Sequence, residues 1–158
     1  MEVFSQSAVS GFFKVISVVI AKLVDSFSYI ETVKKYFSFL VTEYSFPNLS
    51  DKIIGNTFYE VEFSNKTKTI SISYENITDY LQIIVFKLDK GVLPDYEDKS
   101  KTLHLAALNK IALPKATKDD FTQNNIFFSN FSPASQLERQ LLKAGKDLRL
   151  CLKLLPKL

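Results

Sequence analysis

Four carboxylates within residues 89–98 are the first side chains in this sequence whose spacing could do chemistry. They are Asp89, Asp95, Glu97 and Asp98. Carboxylates this close together can bind a hard cation or act as a general acid. The spacing matches no calcium-binding loop, however, and the sequence offers no partner histidine or further carboxylate cluster. A solvated loop that places Asp98 near the N-terminus of the next helix explains the same pattern, so we predict no metal site here.

The chain has one histidine, His104, and one cysteine, Cys151. His104 would act as a base only beside a nucleophile or an orienting carboxylate, and the sequence contains no serine elbow, cysteine motif or glycine-rich phosphate loop. The lone cysteine excludes an intramolecular disulfide, and with a single histidine it excludes a Cys/His zinc cluster. We predict a non-catalytic protein without a cofactor, and a reducing cytoplasm as its location.

The last segment of the chain has the clearest helical periodicity. Ser132 is predicted to cap a helix that begins at Pro133, and Gly145 to kink or break it. The apolar residues that recur every three or four positions are Leu137, Leu141, Ala144, Leu148, Leu152 and Leu155. The basic residues on the opposite side are Arg139, Lys143, Lys146 and Lys153. We therefore predict an amphipathic helix with a basic outer face.

Charge is unevenly distributed along the chain. Residues 46–98 carry 5 basic and 9 acidic side chains, a net charge of −4, whereas residues 99–158 carry 11 and 4, a net charge of +7. Nucleic-acid binding is one interpretation of the basic end. Lysine greatly outnumbers arginine there, no aromatic residues interleave the basic face, and no helix-turn-helix or RNP pattern is present. The candidate partner-binding residues are those of the acidic loop (Asp89, Asp95, Glu97, Asp98) and of the basic face (Arg139, Lys143, Lys146).

The elements that must position these residues centre on the segment from Thr57 to Lys87, which predicts a three-stranded antiparallel meander. Apolar and polar residues alternate in the first two strands, with Tyr59, Val61 and Phe63 in one and Ile70, Ile72 and Tyr74 in the other. A four-residue turn would set Phe63 opposite Ile70 and Val61 opposite Ile72. The third strand, from Tyr80 to Lys87, is apolar on both sides. The second face of the sheet must therefore be partly covered near this strand, by a helix or a further element.

Two helices are predicted before the meander. Residues 8–24 are apolar, but they contain Lys14 and Lys22 and follow Glu2, and their uninterrupted apolar run is far short of the ~20 residues of a membrane span, so we predict neither a span nor a signal peptide. Helical spacing predicts an amphipathic helix packed on the core through Phe13, Ile16, Ile20, Leu23 and Phe27. A second helix, capped near Asp25–Ser28 and ended by Phe46-Pro47, would bury Ile30, Val33, Phe37, Leu40, Val41 and Tyr44.

The remaining segments are predicted from weaker patterns. Residues 48–56 are interpreted as a loop, and residues 100–113 as a helix that Pro114 ends. Residues 116–131 are polar with scattered phenylalanines and predict an irregular connection with room for one helical turn.

The end of the second predicted helix, Tyr36–Phe46, together with Tyr59–Phe63 and Ile70–Tyr74, resembles small bacterial α+β proteins of unknown function. Some of those proteins are similar to immunity proteins that neutralise polymorphic toxins. The resemblance covers about residues 29–88 and consists of core positions, so no functional residue is transferred. It implies a protein partner, and a toxin where the immunity proteins are the relevant relatives.

Together these patterns predict a single α+β domain over residues 1–158, with two N-terminal helices, an antiparallel meander of three or more strands and C-terminal helices packed on the sheet. The preferred function is a non-catalytic cytoplasmic protein-binding module, with an immunity protein as one form of it. Its candidate contact surfaces are the acidic loop and the edge of the meander. The alternative is a nucleic-acid-binding protein that uses the basic C-terminal helix. No membrane association is expected.

Overall fold

The computed structural model describes residues 6–158, and within that range the side chains of residues 8–16 and 26–158. The described chain is an α+β fold with one five-stranded antiparallel sheet and helices at both ends. The helices are α1 (Gln6–Tyr36), α2 (Phe39–Thr42), α3 (Leu105–Ala112), α4 (Lys118–Phe127) and α5 (Gln136–Leu154). The strands are β1 (Asn48–Ile54), β2 (Phe58–Ser64), β3 (Lys68–Glu75), β4 (Tyr80–Lys87) and β5 (Thr102–His104), and their order in the sheet is their order in the chain.

The predicted meander forms β2, β3 and β4 in the expected register. Phe63 lies opposite Ile70, and Val61 lies opposite Ile72. The alternating apolar side chains of β2 and β3 are all buried, because they point to the layer of helices. Tyr29 of α1 shows how that layer is attached, since its hydroxyl donates a hydrogen bond to the carbonyl oxygen of Ile72 at 3.0 Å.

The prediction of a loop over residues 48–56 is wrong, because β1 occupies most of it and pairs with β2. The turn between the two strands explains how this happens. Gly55 and Asn56 both have positive φ angles, +60° and +63°, and the amide of Thr57 donates to the carbonyl of Ile54 at 3.2 Å. This is the geometry of a type I′ turn, whose twist suits a hairpin.

The sheet ends on its other side in the short strand β5. Residues 100–113 were predicted to be one helix, but Thr102–His104 extend and pair with Ile84–Phe86 before α3 begins at Leu105. The predicted helix is therefore correct only in its later part.

The second face of the sheet is partly covered near β4, as predicted. Ile84 lies on that face and is only 4% exposed. The covering element is the loop of residues 88–101, whose Tyr96 packs edge to face on His104 of β5 and accepts a hydrogen bond from the Gln82 side chain at 3.3 Å. Tyr80 at the start of the strand is 56% exposed, so the cover does not extend along the whole of β4.

The N-terminal region is one continuous helix, and not two helices separated near residues 25–28 as predicted. α1 runs unbroken to Tyr36, and most of the later stripe packs on the core as predicted, with Val33 and Phe37 fully buried, but Val41 is 49% exposed. The earlier stripe does not, since Phe13 and Phe27 are 65% and 66% exposed. The predicted contacts of Ile20 and Leu23 lie outside the described side chains.

The C-terminal helices complete the layer over the sheet. α5 buries the predicted stripe through Leu141, Leu148 and Leu152. Its cap is Ser135, whose side chain accepts the amide of Glu138, and not Ser132; Pro133 lies before the helix. The helix passes through Gly145 without a break, and a Cβ at this position would be in ordinary van der Waals contact with the carbonyl oxygen of Tyr36, at 3.4 Å.

The prediction of an irregular connection over residues 116–131 is also wrong, because α4 has ten residues. Thr117 and Asp120 form a capping box, in which the Thr117 side chain accepts the Asp120 amide at 3.1 Å and the Asp120 carboxylate accepts the Thr117 amide at 2.8 Å. Two otherwise unpaired amides at the start of the helix are satisfied in this way.

Candidate functional site

Three carboxylates of the acidic loop, Asp89, Asp95 and Asp98, line one surface pocket together with Lys101, but each has its own local partners. Asp89 pairs with Lys101 at 3.2 Å, while Asp95 accepts the amide of Glu97 at 2.9 Å in a local turn. Asp98 accepts both the hydroxyl and the amide of Ser100, and the hydroxyl hydrogen bond is the main reason why the pKa of Asp98 is lowered. Glu97 is exposed. Across the described side chains, no group of three or more acidic, histidine or cysteine residues could hold a metal ion.

The three predicted residues of the basic face are spread along α5. Arg139 donates to the Gln136 side chain at 3.3 Å, and Lys143 forms an ion pair with Asp147 at 3.2 Å. Lys146 is half-buried and contributes its backbone carbonyl to the packing of α4. These side chains therefore do not form one uniform row of unpaired cations.

Two further cations of α5 are also engaged within the fold. Arg149 pairs with Glu43 at 3.0 Å and lies over the ring of Phe127 at 4.3 Å, which fixes α4 and α2 to α5. Lys153 pairs with Asp120 at 2.7 Å, and this pair is the main reason why the pKa of Asp120 falls to about 2. Lys143 and Lys153, two of the four residues predicted for the basic face, are thus paired internally.

A groove of about 450 Å³ lies beside the first half of β4, and we call it the β4 groove. Its floor is Tyr80–Ile83. Its two walls are the start of α3, with Leu105, Ala106 and Asn109, and the middle of α5, with Gln140, Lys143, Ala144 and Asp147. Of the predicted partner-binding residues, Lys143 lines this groove.

The groove exists because β5 is short. It pairs only with Ile84–Phe86, and the chain then leaves the sheet at His104 to begin α3. Among the described residues, no strand lies beside Tyr80–Ile83 on this side, although β3 pairs with all of β4 on the other. The first half of β4 is therefore an open sheet edge set between two helices.

The back of the β4 groove is held by side-chain hydrogen bonds. The side-chain Nδ2 of Asn109 donates to the Asp147 carboxylate at 3.1 Å, and the Cys151 thiol donates to the side-chain Oδ1 of Asn109 at 3.2 Å. Burial raises the pKa of the Cys151 thiol to about 12, with the charge of Asp147 as a smaller cause. The thiol stays protonated at neutral pH, and a protonated thiol is a poor nucleophile.

His104 lines the groove beside Gln82. Its Nδ1 lies 3.5 Å from Nε2 of Gln82, and its ring packs against Tyr96. Among the described residues, no carboxylate hydrogen-bonds to the ring. The arrangement of the groove suits binding through backbone and apolar contacts.

No protein-family model, curated protein or solved structure matches this chain. The resemblance of residues 29–88 to immunity-type proteins stays a prediction. None of the helices in the described part of the chain has the length and apolar character needed to cross a membrane.

Proposed function

We propose that this protein is a non-catalytic protein-binding module and that the β4 groove is part of its contact surface. The observation that carries the proposal is the open half of β4, because an unpaired strand edge is a ready site for a partner's main chain. An immunity protein that neutralises a toxin is one form of such a module, and the resemblance noted in the sequence supports that form.

Exposed apolar side chains elsewhere on the molecule support a protein partner as well. Phe12 and Phe13 of α1 are 66% and 65% exposed on the same stretch of helix. Large apolar side chains that lie together on a surface are typical of protein interaction sites. The polar side chains of the β4 groove hydrogen-bond mostly to each other. They are therefore less available to react with a substrate, which favours binding over catalysis.

Nucleic-acid binding by the outer face of α5 is the alternative hypothesis. It rests on the net charge of residues 99–158, and the internal ion pairs of Lys143, Arg149 and Lys153 weaken it. A protein partner is therefore the preferred proposal.

The test is to purify the protein with the product of each neighbouring reading frame and to look for a stoichiometric complex by size-exclusion chromatography. Ala106→Trp places a large side chain in the groove, while Ala107→Trp makes the same change at the next, exposed position of α3, outside the groove lining. We expect one complex, lost in Ala106→Trp and kept in Ala107→Trp. A complex that both variants form equally well would show that the groove is not the contact surface.

A further inference from the structure

We propose that the β4 groove binds an extended segment of the partner, which pairs with β4 as an added strand. This inference rests on the proposed function and names the part of the partner that the groove recognises. The groove therefore selects an unfolded or loop segment and does not recognise a preformed helix.

The direction of the backbone groups of β4 carries the argument. The amide of Lys87 donates to the carbonyl of Lys101, towards β5, and the next amide, of Leu88, donates to Thr67, towards β3. Backbone groups of successive residues in a strand point to opposite sides, and the pairing of β4 with β3 is regular throughout. The backbone N–H and C=O groups of Leu81 and the N–H group of Ile83 therefore point into the groove, where a longer β5 would have paired.

The size and side-chain pattern of the groove define the segment that fits it. Four residues of open edge accommodate about 13 Å of extended chain. The side chains of Leu81 and Ile83 point towards the helices, in the row that continues the buried faces of Ile72 and Tyr74. An added strand would place every second side chain in that row, against the α5 wall, so we infer apolar residues at alternate positions of the bound segment.

The charges of the groove narrow the segment further. Tyr80–Ile83 carry no charge, and the charged residues of the lining are Asp79, Asp147 and Lys143, a formal net charge of −1. Complementarity at an interface disfavours a partner of like charge. The segment is therefore uncharged or basic, and an acidic segment is disfavoured.

The test uses a synthetic peptide with the sequence of residues 68–75, the strand that already pairs with the other side of β4 and has apolar residues at alternate positions. Amide hydrogen exchange is followed by NMR on the full chain, with and without the peptide. The amides of Leu81 and Ile83 are expected to exchange fast in the free protein and to slow at least about tenfold with peptide bound, whereas that of Gln82, which points to β3, changes little.

Two N-methylated peptides separate strand addition from binding through side chains alone. One carries N-methyl groups at the Ile70, Ile72 and Tyr74 positions, and the other at the Thr69, Ser71 and Ser73 positions. Only one of the two sets of amides can face β4, so one peptide is expected to lose affinity about tenfold and the other to bind nearly as the parent does. The Ala106→Trp variant should bind none of them, and Ala107→Trp should bind as the wild type.

The outcomes distinguish this inference from the proposed function. Equal loss in both methylated peptides, slow exchange of Leu81 and Ile83 in the free protein, or no peptide binding at all would overturn strand addition. The proposed function would survive any of these results if Ala106→Trp still abolished the complex with the partner protein.

Discussion

The two edges of the sheet differ in what keeps other strands away from them. β1 carries Asp51 and Lys52 at its centre and a register irregularity between Asn48 and Ser50. Lys34 of α1 lies 2.6 Å from Asp51 and ties this edge to the helix layer. The open half of β4 carries no charged residue, and only the walls of α3 and α5 limit access to it.

This difference separates two ways of controlling an open edge. Charge and a bulge deter strand pairing even where apolar side chains are exposed, as Leu49, Ile53 and Ile54 are on β1. Helical walls instead limit access to the strand, and in our proposal they admit a single extended chain. The β1 edge is thus protected against any added strand, while the open half of β4 selects an added strand by its shape. Substitutions at the two edges test this difference.

The largest effect is expected from Ile84→Asp, which tests whether β4 is closed on its second face. Ile84 is only 4% exposed, so an aspartate there would be a buried charge without a partner, and we expect a loss of roughly 3 kcal/mol of unfolding free energy. Leu81→Asp, at the half-buried floor of the groove, should cost roughly 1 kcal/mol. Urea denaturation of the two variants and the wild type measures both. Equal costs would show that the groove floor is as closed as the covered face.

A smaller effect is expected at the β1 edge from Lys52→Met. Lys52 pairs with Glu60 at 3.2 Å and with Glu62 at 3.5 Å, but its side chain is 49% exposed, so solvent screening limits the loss to about 1 kcal/mol. Removing the charge also removes the deterrent to strand pairing, so self-association should rise with concentration in sedimentation experiments. Lys66→Met, in the exposed β2–β3 turn, is the matched control and should change neither quantity.

The stabilisation that Lys52 provides should depend on pH. The pKa of Lys52 is raised above its ordinary 10.5, chiefly because its ammonium donates a hydrogen bond to Glu60. A folded-state pKa above the unfolded one means that the stabilisation is complete below pH 10.5 and is lost as the pH rises through the raised pKa. The stability difference between wild type and Lys52→Met should therefore shrink above pH 10.5. A difference that is constant with pH would mean that Lys52 acts through packing and not through charge.

The contrast between the edges also marks what the sequence can predict. Alternation identified β2, β3 and the doubly apolar β4, because each of these strands has a buried face that dictates its side chains. β1 and β5 lack that signal, since an exposed edge strand and a three-residue strand bury too few side chains to impose a pattern. The Gly55-Asn56 pair and the Thr117/Asp120 capping box were local signals that could have identified the first hairpin and α4. The β4 groove had no such signal, because it depends on where the chain leaves the sheet.

The tertiary fold also explains why only Lys143 of the predicted partner-binding residues lines the β4 groove. The acidic residues of the loop were grouped by sequence proximity, but each turn uses its own carboxylate for its own amides, as Asp95 and Asp98 do. Lys143 reached the groove because it lies on the side of α5 that faces α3. Proximity in sequence therefore identified charged segments, and only the tertiary fold decides which of their side chains meet.

The smallest effect is expected from neutralising the outer face of α5 with Arg139→Gln, Lys143→Gln and Lys146→Gln together. If this face bound nucleic acid, the triple variant would bind more weakly, and the slope of log affinity against log salt would fall by roughly one unit per lost phosphate contact. Because α5 serves as a groove wall in our proposal, and Lys143 is paired with Asp147, we expect the wild-type protein not to be retained on a polyanion column at physiological ionic strength. The triple variant should then elute with it and unfold within about 1 kcal/mol of it, since Arg139 and Lys143 are exposed and Lys146 is half-buried. Salt-resistant binding of DNA or RNA at micromolar concentration by the wild type would instead assign α5 to nucleic-acid binding. The proposed role of α5 as a wall of the β4 groove would then be lost.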